Sequence, residues 1–127
     1  MISNSYSLDA VVVVQHRGQP EAFAGPFTLG LLTNAPTPEG AHAKELEAPY
    51  ERPVVEFGPP ASDRPGGTRR SGGRVSFGAI AKRAAEARYV GIFKGDDIIA
   101  YGRPQPSAGF VGPEEIAFEP AAIRVRF

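Results

Sequence analysis

The chain has no cysteine, no tryptophan, one methionine and two histidines in 127 residues. Without thiols there is neither a disulfide framework nor a thiolate zinc site. Charge of one sign is not in excess either, because 14 Lys and Arg balance 14 Asp and Glu. That balance removes the bulk electrostatic case for a nucleic-acid or membrane binder. Long apolar runs are also missing: near the start the longest, Ala10 to Val14, is five residues, against about 20 for a membrane span. Met1 to Ser7 carries no Lys or Arg, so it lacks the basic region of a signal peptide. The expectation is a chain made, folded and used without crossing a membrane alone.

Catalytic signatures are missing in the same way. There is no G-x-S-x-G, no phosphate-binding G-x-x-x-x-G-K-[ST] and no dinucleotide fingerprint after a strand. His16 and His42 stand far apart in dissimilar settings, without the ligand spacing of a transition-metal site. Asp96 and Asp97 fall well short of the roughly six to eight oxygens that calcium takes, and suit turn chemistry instead. The carboxylate pairs Glu114-Glu115 and Glu45 with Glu47 read as surface charge rather than glycosidase machinery. The sequence predicts no enzyme, no cofactor and no metal.

What the chain does have is glycine and proline, which at 15 and 13 residues make about 22% of it, against roughly 12% in average proteins. Neither residue is comfortable inside helices, so the excess predicts many short strands separated by turns. A hydrophobic content of 42% suffices for a packed core, and the length predicts one domain over residues 1–127. The expected fold class is mainly β: a single-domain antiparallel β-sandwich with long surface loops.

The opening segment, Ser7 to Arg17, reads two ways. Val11 to Val14 is β-branched and favours a strand. Yet Ser7 suits an N-cap, Gly18 a C-terminal stop, and Leu8, Val11 and Val12 one helical face. Phe27 to Thr33 is a buried strand in which Gly30 marks a close backbone approach. Pro53 to Gly58 alternates Val55 and Phe57 against Val54 and Glu56, as a half-buried strand does. Arg74 to Ile80 is a further strand, and Ala81 to Ala87 has the propensity for about two helical turns. Arg88 to Lys94, the turn Gly95-Asp96-Asp97, and Ile98 to Arg103 form a β-hairpin. Glu115 to Glu119 and Ala122 to Phe127 close the chain as strands, with Ile123, Val125 and Phe127 facing away from Arg124 and Arg126.

Two polar stretches, Thr37 to Pro49 and Pro59 to Gly73, are expected as surface loops, the second being the least structured part of the chain. The second holds the one local charge concentration, Arg64, Arg69 and Arg70 with Arg74 beyond it, against Asp63 alone. No aromatic residue is interleaved to stack on bases. The four arginines are therefore candidate contacts for a protein partner, with an arginine-loop nucleic-acid binder as the disfavoured reading.

Three stretches carry a likeness in their order. Arg17-Gly18-Gln19-Pro20 precedes Phe27 to Pro36; Tyr50-Glu51-Arg52 opens onto Pro53 to Phe57; and Tyr89-Val90-Gly91-Ile92-Phe93 is followed by Ile98-Ile99-Ala100-Tyr101-Gly102. The chain thereby resembles the small virion proteins of tailed bacteriophages commonly labelled tail-fibre proteins, from about Arg17 to Phe127. It departs from them in having no Trp before the Gly-Ile-Phe strand and in carrying Lys94 where they often have Asp. The resemblance implies that residues 1–18 form a short N-terminal helix or arm, against the strand propensity of Val11 to Val14. It also implies a non-enzymatic structural role on the exterior of a virion assembled in the bacterial host cytoplasm, with other virion proteins as partners. A domain of this size has a radius of gyration of only about 14 Å and cannot form a long shaft alone. A capsid-decorating or cementing protein, or a compact tail-fibre adaptor, fits better, and by analogy a homotrimer. The alternative is a carbohydrate-binding, receptor-binding module with Tyr50, Tyr89 and Tyr101 as stacking platforms.

Overall fold

The computed structural model describes residues 3–16, 26–46, 51–58, 68–70, 72–80, 87–105 and 114–126. Nine strands make up nearly all of its regular structure: β1 (Ser3–Val12), β2 (Phe27–Leu32), β3 (Val54–Val55), β4 (Thr68–Arg70), β5 (Val75–Ile80), β6 (Tyr89–Lys94), β7 (Asp97–Gly102), β8 (Pro104–Gln105) and β9 (Glu114–Arg126). The only helical element among the described residues is a 3-10 turn, Val14–His16. The mainly β expectation holds. The helical turns expected at Ala81 to Ala87 lie, apart from Ala87, outside the described residues.

The N-terminal helix is a correction. Ser3–Val12 is a strand, and it runs through the middle of the sheet rather than hanging off it as an arm. Its burial explains why: Tyr6, Leu8, Ala10 and Val12 are buried while Ser7 and Asp9 are exposed. That is a period of two, which a strand satisfies and a helix does not. The β-branched valines favour the same choice.

The sandwich is a second correction. All nine strands belong to one sheet, in the order β3-β2-β6-β7-β1-β9-β4, with β5 pairing β9 and β8 pairing β1. That sheet is nearly closed into a barrel. Just beyond the two end strands, the Gly72 amide donates to the Glu56 carbonyl at 2.9 Å. That bond brings the two ends of the sheet together, as closure into a barrel does. Nor is the sheet wholly antiparallel, because β1 and β9 run parallel from Ser3↔Glu115 to Val11↔Arg126. Between Tyr6↔Phe118 and Leu8↔Ile123 the ladder is interrupted: β9 inserts residues 119–122, with Ala121 at a φ of 64°.

Inward-facing residues of every long strand meet in one cluster. Phe118, Ile116 and Ile123 of β9 and Leu29 and Leu31 of β2 are fully buried there. Phe27 meets Phe57 edge to face at 5.9 Å. As alternation predicts, Val55 is buried and Val54 is 64% exposed.

The β6–β7 hairpin turns through two residues, since Lys94 pairs with Asp97. Gly95 has a φ of 64° and Asp96 is not at positive φ, the signature of a type II′ turn with glycine first. A Cβ at Gly95 meets nothing within 4 Å, so Gly95→Ala suffers from backbone strain alone. It should cost about 1 kcal/mol, read as a lower urea midpoint with an unchanged slope.

Candidate functional site

The most structured surface feature is built over a pair of glycines. Gly30 of β2 and Gly91 of β6 are directly opposite in the ladder. The Phe93 ring lies over both, so that an added Cβ would come within 2.7 Å of it at Gly30 and 2.9 Å at Gly91. An aromatic ring covering cross-strand glycines restores the contact that they lack. Gly30 does mark a close approach, as expected, but what approaches is this ring and the Glu45 carboxylate rather than another backbone.

Arg52 covers the ring in turn, its guanidinium 4.0 Å from the Phe93 centroid. The same group donates two bonds to Glu45, Nη2 to Oε1 at 2.7 Å and Nε to Oε2 at 3.1 Å, and a third from Nη1 to the Gly95 carbonyl at 3.1 Å. One side chain thus fastens the start of β3, the cover segment at Glu45 and the β6–β7 turn. Such a planar, bidentate and stacked contact is one that lysine cannot reproduce. Arg52→Lys should lower stability by about 1 kcal/mol, kept small because both partners are partly solvated. A matching loss in Glu45→Gln and a non-additive double variant would identify the pair.

Residues 33–46 form the cover. Thr37 to Pro49 is expected as a surface loop; half of its described residues are exposed and only Leu46 is buried, but the segment is tied down along its length. Thr33 and Leu46 bond back to Lys44 and to β2, and the Asn34 side chain bonds both the His42 carbonyl and the Lys44 amide at 2.8 Å. Its tip reaches the end of β1, where Val14 donates to the Pro38 carbonyl at 2.9 Å. Gly40, at a φ of 84°, sits against Ile98 and Val13. Between cover, turn and sheet lies a concavity of about 1060 Å³, with Glu39, Glu45, Asp96 and Asp97 on its wall against Arg52 and Lys94.

A second surface lies on the outer face across β6, β7, β1 and β9. Asp9 pairs with Arg124, and by the same register it faces Arg103 on its other side. Arg124 grips Asp9 with two bonds, 2.6 and 2.8 Å. The hydrogen bond, and then the carboxylate's charge, raises the Arg124 pKa above its ordinary value. Arg103 stacks on Tyr89 at 5.8 Å. In the next row, Tyr101, Val11 and Arg126 stand side by side, and Arg126 is exposed.

Of the four arginines singled out from sequence, Arg64 lies outside the described residues. Arg69 and Arg70 are not in an open loop: they belong to β4, where Arg70 pairs with Arg124 and Arg69 with Val125. The edge of β9 supplies ladder partners that hydropathy of the 59–73 stretch does not reveal. Arg74 forms an exposed ion pair with Glu119 at 3.2 Å. The structure therefore distributes this cluster along β9, and joins to it Arg124 and Arg126, which were read from sequence only as the polar face of a strand. Arg52 and Glu45 were not foreseen as partners, although Arg52 stands in the Tyr-x-Arg stretch. Among the described residues no group of three or more His, Asp or Glu is placed to hold a metal ion.

Comparison with protein-family models, with curated proteins and with solved structures finds no match to this chain.

Proposed function

We propose that this chain is a non-enzymatic docking component on the exterior of a bacteriophage virion, as a capsid-decorating protein or a compact tail-fibre adaptor that works as a homo-oligomer. The observation that carries the reading is the use made of the most elaborate polar group. Arg52 is engaged by a carboxylate, a carbonyl and an aromatic ring together, so it fixes the shape of the surface instead of waiting for a substrate. Arg124 with Asp9 and Arg74 with Glu119 act likewise. A nearly closed sheet with pinned loops is a rigid body, and rigid surfaces dock with little ordering cost. The likeness of residues 17–36, 50–57 and 89–102 to small virion proteins supplies the setting, with virion proteins as partners and three-fold symmetry as the expected arrangement.

The test is the composition of purified particles. Mass spectrometry of virions banded from the phage that encodes the chain should find it at a fixed copy number, accessible to antibody without disrupting the particle. Its absence from the particles contradicts the reading.

One observation favours carbohydrate binding as a second reading: Tyr89 and Tyr101 share the outer face, each only partly buried. Tyr50 lies outside the described residues. Glycan-array binding that Tyr101→Ala abolishes is the result this reading predicts.

A further inference from the structure

We propose that the concavity under the cover segment is a socket in which a partner protein seats an arginine side chain. The inference rests on the docking reading above and gives the partner its chemistry.

The floor of the concavity is apolar and separate from the interior of the sheet. Val13, Leu32 and Phe93 line it and are buried, yet none of them belongs to the central core cluster. Partly buried Ile98 lies beside them. Two elements make the walls: the cover, with Glu39, Gly40, Ala41 and Ala43, and the β6–β7 turn, with Lys94, Asp96 and Asp97. The cover's side chains there are small apart from Glu39 and His42, and about 1060 Å³ stays open. The shape is preformed. Thr37 and Ala41 bond each other twice, amide to carbonyl at 2.9 Å and amide to hydroxyl at 3.0 Å, and Gln15 Nε2 donates to the Glu39 carbonyl at 3.1 Å. A partner therefore meets a wall that needs little ordering.

Charge selects the occupant. Glu39, Glu45, Asp96 and Asp97 line the concavity against Arg52 and Lys94 alone. Glu45 already holds Arg52 at 2.7 Å, and Asp96 touches it only loosely, at 3.5 Å. The carboxylates of Glu39 and Asp97, one on each wall, are exposed and have no bonded partner among the described residues. A phosphate or an acidic peptide is repelled by this rim. A sugar finds no ring to stack on, because the glycines take one face of Phe93 and Arg52 the other. An arginine satisfies both parts, its methylene stem on the apolar floor and its planar fork toward carboxylates. The concavity is too open to enclose a free small molecule, since Glu39, Ala41, His42, Lys94 and Asp97 are all exposed. A side chain held by a partner around the rim needs only its tip seated, and arginine is among the common anchors of such contacts.

Amide NMR spectra of the full-length chain test this at about 50 mM salt, where screening is weak. The probes are N-acetyl-arginine methylamide, its uncharged isostere N-acetyl-citrulline methylamide, and N-acetyl-glutamate methylamide. The arginine probe should shift the amides of residues 39–43 and 94–98 saturably, about tenfold more tightly than the citrulline probe. Glu39→Gln with Asp97→Asn should erase that preference. Ala41→Leu, at an exposed position, should fill the concavity and block the arginine probe. Spectra unchanged elsewhere establish that these variants are folded. No saturable shift with the arginine probe overturns the inference, as does equal binding of the citrulline or glutamate probe at the same amides. So does an arginine preference that survives loss of both carboxylates, or a folded Ala41→Leu that still binds. None of these results touches the virion test, and absence of the chain from particles would leave the arginine preference standing.

Discussion

Gly102→Ala is expected to be the most damaging single methyl group that can be added to this chain. Gly102 ends β7 and lies against β1, where a Cβ would overlap the Asp9 carbonyl oxygen and approach the Asp9 carbonyl carbon at 2.9 Å and Ala10 Cα at 3.1 Å. All three are backbone atoms, so no rotamer change relieves the contact. Nor can β1 retreat, because β9 holds its other edge along most of its length. The remaining outlet is to separate β1 from β7 in the middle of the sheet. We expect a loss of about 3 kcal/mol, the upper end for an overpacked site, measured as the shift in urea midpoint. Gly73→Ala is the control. Its Cβ meets nothing within 4 Å, so it should stay within about 0.5 kcal/mol of the wild type. Equal stability of the two variants would show that β7 does not lie against β1 as described.

Phe118→Ala should be about as severe for the opposite reason. Phe118 is fully buried and sits between Tyr6 of β1 and Val75 of β5 in the ladders on either side. Its ring centroid is 6.3 Å from that of Tyr6. Truncation leaves a cavity in a strand held on both edges, which cannot collapse to fill it. The expected cost is about 3–5 kcal/mol, falling to about 1.5 kcal/mol for Phe118→Leu, which keeps most of the volume. Glu119→Ala, one residue on, removes an exposed ion pair with Arg74 and should change stability by less than about 1 kcal/mol. A flat response across these three variants would contradict an inward-facing Phe118.

Much of this fold is legible from alternation. Ile123 and Val125 are buried while Arg124 and Arg126 are not, Val55 is buried while Val54 is not, and the hairpin is where Gly95 and its flanking apolar runs place it. Ser3–Val12 is not legible in the same way. Its short apolar run fits either period, and the partner that decides the matter, β9, lies more than a hundred residues away in sequence. The parallel pairing also has no local signature, because nothing near Leu8 indicates Ile123. Closure is equally non-local: Thr68 to Arg70 is polar and looks like loop, and becomes strand because the edge of β9 is open to it.

The candidate surfaces fail to appear in sequence for a related reason. The arginine cluster drew attention where residues were adjacent in the chain, at Arg69 and Arg70. The face that forms takes Arg103 from between β7 and β8, Asp9 from β1, Arg124 and Arg126 from β9, with tyrosines from β6 and β7 beside them. Each contributes one or two residues at period two, and only the strand order brings them into rows. The tyrosines of this face, Tyr89 beside Arg103 and Tyr101 in the row of Arg126, stand by other arginines than those of the 59–73 stretch. The Arg52–Glu45 fastening spans only seven residues, but a free-looking loop hides it: the cover must first fold back on β2 for Glu45 to meet Leu32.

Amide hydrogen exchange followed by NMR most directly tests whether the N-terminal segment is the centre of a nearly closed sheet around which these surfaces are arranged. The amides of residues 5–12 and 116–125 that bond between strands should be the slowest in the protein and should exchange together at the rate of global unfolding. Amides of residues 5–12 that exchange freely while β6 and β7 stay protected would contradict it.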